Sequence, residues 1–238
     1  MQRDITYRDW LTTWVTHLIS IAHGPKKEYF FACRTVIKDD LDTAGYLLPH
    51  LIVEQLDKDF DKQIYQEIMA VLTVASSSSA SEDPEVVMCT QRIFFLLDWL
   101  ANPQTKDKVS VCYHLSIVIF FFIVIFLLQH FQNIKSSHTT NQNIQKLISE
   151  IPRKVLALAS FNCQAFERAL QHFENYWRIL NLNKKGSTNS IDLTKVGQGN
   201  NNSNTQSIED EKKLVVHYLQ QIYSKLDEPG LANKDQTR

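Results

Sequence analysis

The chain has 238 residues with 25 basic and 26 acidic side chains, a formal net charge of −1. Near-neutrality gives no bulk attraction to polyanions, and basic residues that never cluster beyond pairs such as Arg153-Lys154 or Lys212-Lys213 make no nucleic-acid groove. With 6 Gly and 6 Pro the chain is poor in turn formers, which excludes a many-stranded sandwich and points to helices joined by a few linkers.

Thr6 opens the first helix, with Asp9 three residues later in a capping-box arrangement. Trp10, Trp14, Leu18 and Ile21 then share one face, and Gly24-Pro25 supplies the stop. A second helix is predicted from Glu28 to about Lys38, with Tyr29, Cys33, Val36 and Ile37 inward. Asp42 is the expected cap of a third that carries Leu47, Leu48, Leu51, Ile52 and Leu56, with Pro49 kinking its backbone. After an acidic turn at Asp57 to Asp61, a fourth places Ile64, Ile68, Val71, Leu72 and Ala75 on its apolar side. The tract SSSSASED from Ser76 to Asp83 reads as a loop, and Pro84 suits the first turn of a fifth helix. That helix buries Val87, Ile93, Phe94, Leu97 and Leu100 and stops near Asn102-Pro103.

Val111 to Leu128 breaks the pattern, with sixteen apolar residues out of eighteen, near the lower length limit for spanning a bilayer. A polar stretch from Lys135 to Asn143 follows, then Ile144, Leu147, Ile148 and Ile151 at helical spacing before Pro152. Two further helices are expected at Arg153 to Ser160 and about Cys163 to Leu182, the second with a stripe of Phe166, Ala169, Leu170, Phe173 and Trp177. Residues 184–206 are rich in Asn, Ser and Gly and read as a disordered linker. The last helix is expected to start at Ser207, capped with Asp210, to bury Leu214, Tyr218, Ile222 and Leu226, and to end at Pro229-Gly230. The fold class is therefore all-α, an α-solenoid of antiparallel helix pairs of the HEAT or TPR kind.

Chemistry-bearing patterns are not visible. No Walker loop, GxGxxG, HExxH or GxSxG occurs, so no catalytic, cofactor-binding or metal-binding residues are assigned. Cys33, Cys89, Cys112 and Cys163 form no CxxC pair, which suits a reducing compartment better than a zinc site or a disulfide framework. His17, His172 and His217 are read as ordinary amphipathic positions, and Asp39-Asp40 as a solvated helix end. Trp10, Trp14, Trp99 and Trp177 fall on apolar faces and are read as core.

Two blocks carry a resemblance. Tyr46 to Leu56, YLLPHLIVEQL, with Gln63 to Leu72, QIYQEIMAVL, resembles the UME region of the ATR checkpoint kinases, a family of the phosphatidylinositol 3-kinase-related protein kinases. Ile151 to Glu174, IPRKVLALASFNCQAFERALQHFE, and Leu219 to Leu231, LQQIYSKLDEPGL, resemble the opening of the FAT domain of that family, departing from it where an acidic residue usually separates Pro229 from Gly230. The resemblance implies UME-like helical repeats over 1–108, an apolar insertion over 109–132, and the start of FAT-like repeats over 133–238. It implies a scaffold fragment of a nuclear Ser/Thr protein kinase of the DNA-damage and replication-stress checkpoint, positioning a kinase domain and protein partners. ATP and Mg would belong to that kinase domain, so this chain alone is expected to hold no cofactor, to be inactive, and to bind no nucleic acid directly. Two other readings use the same helices: a free-standing helical-repeat adaptor, and a membrane-anchored protein spanning with 111–128, which would separate two blocks that the family packs together.

The insertion has its own reading as a retained intron, against the alternative of a genuine hydrophobic insertion. Lys108-Val109-Ser110 can be encoded AAG-GTA-AGT, a splice donor, and Phe131-Gln132 can end in TTTCAG, an acceptor. The T-rich codons of Phe, Ile, Val and Leu between them would supply the pyrimidine tract. Removing 109–132 keeps the frame, so transcripts are expected in which Lys108 joins Asn133. A CAA codon at Gln132, or transcripts that always retain the block, would refute this reading.

Overall fold

The computed structural model describes residues 6–23, 26–56, 62–77, 83–102, 138–186 and 202–227. The expected stops at Gly24-Pro25 and Pro229-Gly230, the acidic turn at Asp57 to Asp61, most of the serine tract and the whole apolar block 109–132 lie outside them. Among the described residues all regular structure is helical: α1 (Tyr7–Ile21), α2 (Lys27–Ala32), a 3-10 turn (Val36–Lys38), α3 (Leu41–Leu56), α4 (Lys62–Ala75), α5 (Pro84–Ala101), α6 (His138–Glu150), α7 (Arg153–Asn162), α8 (Phe166–Gly186) and α9 (Asn202–Leu226). No described helix is long and apolar enough to cross a membrane. The chain divides into two compact units, one built from Met1–Ile68 and Gln91–Glu150, the other from Met69–Thr90 and Ile151–Arg238.

In the first unit, α1 begins where its sequence dictates. Thr6 accepts from the Asp9 amide at 3.2 Å and donates its hydroxyl to the Asp9 carboxylate at 2.8 Å, so one orphan N–H of the first turn is satisfied. Trp10, Trp14, Leu18 and their neighbours Leu11, Val15 and Ile19 are buried. The segment after it is shorter than expected. Cys33 to Thr35 form turns, leaving six residues of α-helix and a 3-10 turn, and Phe30, not Tyr29, faces inward. The cap of α3 is also one turn of reasoning away from Asp42. Asp40 supplies it, accepting from the Asp42 amide at 3.0 Å and the Thr43 hydroxyl at 2.5 Å while its carbonyl takes the Ala44 N–H. Helix α3 runs unbroken through Pro49, and Leu47, Leu48, Leu51, Ile52 and Leu56 are all buried as expected.

Side-chain pairs give the helix directions. Trp10 donates its indole N–H to Glu67 at 2.6 Å and His17 meets Gln63 at 3.4 Å, so α1 and this part of α4 run antiparallel. His50 meets Trp99 edge-on with ring centroids 5.1 Å apart, and the Arg92 guanidinium lies against Gly45, so α3 and α5 run parallel. A Cβ on Gly45 would come within 2.7 Å of that guanidinium, which also donates to the Tyr7 hydroxyl at 3.0 Å; the glycine is what lets it lie there. The Asn143 amide donates to the Leu56 carbonyl at 2.8 Å and closes the end of α3. Helix α6 starts at His138, inside the stretch expected to be polar and irregular, because each added turn on an established helix gains a hydrogen bond at small propensity cost.

In the second unit, the ends of α4 and α5 join α7, α8 and α9. Asp83 caps α5 by accepting from the Glu85 amide at 2.9 Å, with Pro84 in the first turn; Val86, not Val87, is buried. The Asn162 amide donates to the carbonyls of Ala75 and Ser77 at 2.9 and 2.8 Å and closes the end of α4. Helix α7 ends in a Schellman turn: Ala165 N–H reaches the Ser160 carbonyl at 2.9 Å and Gln164 N–H reaches that of Phe161 at 3.0 Å. Gln164 takes φ 59°, the left-handed position usually given to glycine. Ala165, expected at a helix crossing, instead accepts the first bond of α8 from Ala169.

Lys154 pairs with Glu211 and Phe161 with Tyr218, so α7 and α9 run parallel at a constant offset. Phe173 stacks on Tyr218 and Tyr176 bonds Glu211, so α8 runs against α9. The core they share is Ala157, Ala169, Phe173, Leu180, Val215 and Ile222, with Phe166, Leu170, Trp177, Tyr218 and Leu219 partly buried against it. Two expectations for α9 are corrected. Leu214 and Leu226 are exposed, Val215 taking the core position, and Ser207 lies inside the helix and caps nothing. The expected linker 184–206 is also helical at both ends, in α8 to Gly186 and in α9 from Asn202. Ala169 is fully buried and small where α7 and α8 approach, so Ala169→Leu is expected to overpack the core and cost about 1–3 kcal/mol in denaturant titration. An unchanged midpoint would show that the site has room.

Candidate functional site

The positions singled out in the sequence do not converge. His17 is exposed beside Gln63, and His217 is exposed, 3.0 Å from Gln221. Asp40 is used as a helix cap. Trp10, Trp14 and Trp99 are buried, and Trp177 is half-buried with the Lys212 ammonium 5.9 Å from its ring centroid. Among the described residues no three His, Cys, Asp or Glu side chains come together as metal ligands. Cys33, Cys89 and Cys163 are buried free thiols. Burial pushes the Cys33 and Cys163 thiols up, the latter partly offset by the Thr90 hydroxyl, so neither is poised as a thiolate nucleophile.

The structure does assemble one polar network that the sequence pattern did not signal. Lys154 of α7 donates to Glu211 Oε1 at 2.7 Å, and Tyr176 of α8 donates its hydroxyl to Glu211 Oε2 at 2.6 Å. One carboxylate of α9 thus ties both neighbouring helices. The Lys154 hydrogen bond, then that of Tyr176, holds the Glu211 carboxyl below its ordinary range. Burial first, then the bond to Glu211 and its charge, pushes the Tyr176 phenol well above its ordinary value, so it remains a donor. A carboxylate held ionised by a lysine and a phenol is a clamp, without the free lone pair and matched pKa that general acid–base work requires.

At the other end of α9 a cleft of about 460 Å³ opens between the Schellman turn and the last turn of the helix. Phe161 and Phe166 supply its apolar wall, and Gln164, Gln221, Ser224 and Lys225 its polar lining. Such a lining can hold hydrogen bonds, but it contains no nucleophile–base pair.

The sequence pattern of the M-HEAT region of serine/threonine-protein kinase ATR matches residues 2–231. Relatives named serine/threonine-protein kinase ATR are 31% identical over 255 aligned residues in Oryza sativa subsp. indica and japonica, and 30% identical over 242 in Arabidopsis thaliana. These alignments cover 96% of the chain for the rice proteins and 94% for the Arabidopsis protein, but only 8% of each relative. No solved structure matches the chain.

The ion-paired clamp yields a pH test. Because the folded state holds Glu211 below its ordinary pKa of about 4.5, its contribution is complete above that pH and is lost as the pH falls through and below it. Glu211→Gln is therefore expected to lower the melting temperature most at pH 7 and to converge on the parent toward pH 3. A deficit that stays constant across this range would show that the carboxylate charge contributes nothing.

Helices in parallel and antiparallel register, all-α throughout the described residues, and a match along nearly the whole chain lead to one assignment: the chain belongs to the ATR family of serine/threonine-protein kinases, as a helical fragment of the M-HEAT region.

Proposed function

We propose that this chain is a scaffold segment of a checkpoint Ser/Thr protein kinase, acting in the nucleus in the response to DNA damage and replication stress. Its helices hold the distance and orientation between the kinase domain, which would bind ATP and Mg, and the protein partners that recruit it. The carrying observation is the match to the M-HEAT region over residues 2–231. The use of side chains supports it, since the polar groups that converge most closely, Lys154, Tyr176 and Glu211, lock helices together. The UME-like block to residue 108 and the FAT-like block from 133 are read as consecutive stretches of that scaffold, and neither is expected to contact nucleic acid directly.

Phe173 tests the reading in the full-length kinase. It is fully buried against Tyr218, so Phe173→Ala is expected to cost about 3–5 kcal/mol in this unit. At equal amounts of full-length protein, phosphorylation of checkpoint substrates after replication stress should fall several-fold, although no residue of the kinase domain has changed. Undiminished phosphorylation would overturn the scaffold role. A transcript that reads to a stop just after Arg238, with no kinase domain downstream, would favour the free-standing adaptor.

A further inference from the structure

Helix α9 carries two apolar stripes. The first, Val215, Tyr218 and Ile222, is used against α7 and α8. The second runs Val216, Leu219, Tyr223 and Leu226, at steps of three, four and three that keep residues on one helix face, roughly a quarter-turn round from the first. Leu219 is partly buried, but Val216, Tyr223 and Leu226 are 40%, 48% and 40% exposed. The polar residues Lys213, His217, Gln220, Gln221 and Ser224 occupy the opposite side of the helix, so the second stripe is not where this helix meets water by design of its pattern.

We propose that the second stripe of α9 is the docking face for the next helix of the same polypeptide, an amphipathic helix with an uncharged apolar seam. The proposal rests on the reading of the chain as a segment of a longer kinase. In a stack of helical repeats each inner element is covered on two sides and a terminal one on a single side, with a polar outer face. Helix α9 has the two-sided pattern. The relatives supply the occupant, since the chain spans 8% of their length and a long run of further polypeptide is available. The stripe itself is uncharged, so a helix presenting Leu, Ile, Val or Ala at the matching steps meets no desolvated charge.

Thiol labelling separates the outcomes. Val216→Cys and Tyr223→Cys are made singly, both in the 238-residue chain and in the full-length polypeptide, with Lys213→Cys on the polar side as control. Each is treated with a maleimide, and the labelled peptide is followed by mass spectrometry. In the 238-residue chain, positions 216 and 223 should label about as fast as 213. In the full-length polypeptide they should label at least ten-fold slower, while 213 is unchanged. Equal rates at 216 and 223 in both lengths would overturn the proposal. Protection already present in the 238-residue chain, rising with concentration alongside a dimeric mass, would overturn it in favour of a second copy. Both substitutions fall on exposed side chains, and Val216→Cys, the smaller change, carries the test if Tyr223→Cys perturbs the fold. A transcript that codes for no helix beyond Arg238 removes the segment reading itself, whereas unchanged labelling in a full-length kinase removes the docking face alone.

Discussion

Each helix of this chain has one apolar stripe too narrow to form a core alone, and the need to cover it is the constraint from which the packing follows. In the second unit the coverage centres on Tyr218. Its ring lies 5.0 Å from that of Phe173 in a stacked pair and 4.9 Å from that of Phe161 edge-on, so one side chain of α9 touches both α7 and α8. Such aromatic pairs have preferred geometries beyond simple burial, and meeting two of them at once fixes both the height and the rotation of α9. Glu211, two turns earlier on the same helix, then falls opposite Lys154 and Tyr176.

A second regularity links the helix ends. Asn143 closes the end of α3 through the Leu56 carbonyl, and Asn162 closes the end of α4 through that of Ala75; the two pairs have the same separation of 87 residues. Within its own unit, each asparagine does what a capping glycine would do locally, satisfying carbonyls that the helix leaves without partners. The side chain reaches across from a later helix, so the same bond that ends one helix also places another. This is structural use of polar residues, in keeping with a chain whose family assignment is to a helical region of a kinase.

The sequence made the long, strongly patterned helices readable. Thr6 with Asp9, the five buried residues of α4 and the leucines of α3 all stand where local rules place them, because cap and stripe agree there. Where two local signals were equivalent, the structure chose. Asp40 and Asp42 both offer a carboxylate before the same stripe, and only the backbone turn at Asp39 decides between them. The inward face of α9 illustrates a different ambiguity. Leu214, Tyr218, Ile222 and Leu226 repeat every four residues, and a strict four-residue step advances about 40° past each full turn, so the row winds off any single face. Val215, Tyr218 and Ile222 alternate steps of three and four and stay on it. The Lys154, Tyr176 and Glu211 network had no local signature at all, since its members are brought together by pairings 35 and 57 residues apart.

The constant offset between α7 and α9 also sets an order of assembly. Contacts between α7 and α8 close through three residues, whereas those joining α9 to α7 span 57 positions, and local closures precede distant ones in folding. The α7–α8 hairpin can thus form before α9 arrives, and in the reverse direction α9 can leave while the hairpin keeps its own packing through Ala157 and Ala169. Partial opening of this unit is therefore directional. It begins at the helix that carries Tyr218 and transiently uncovers Phe161 and Phe173, which makes α9 the latch of the unit and the hairpin its frame.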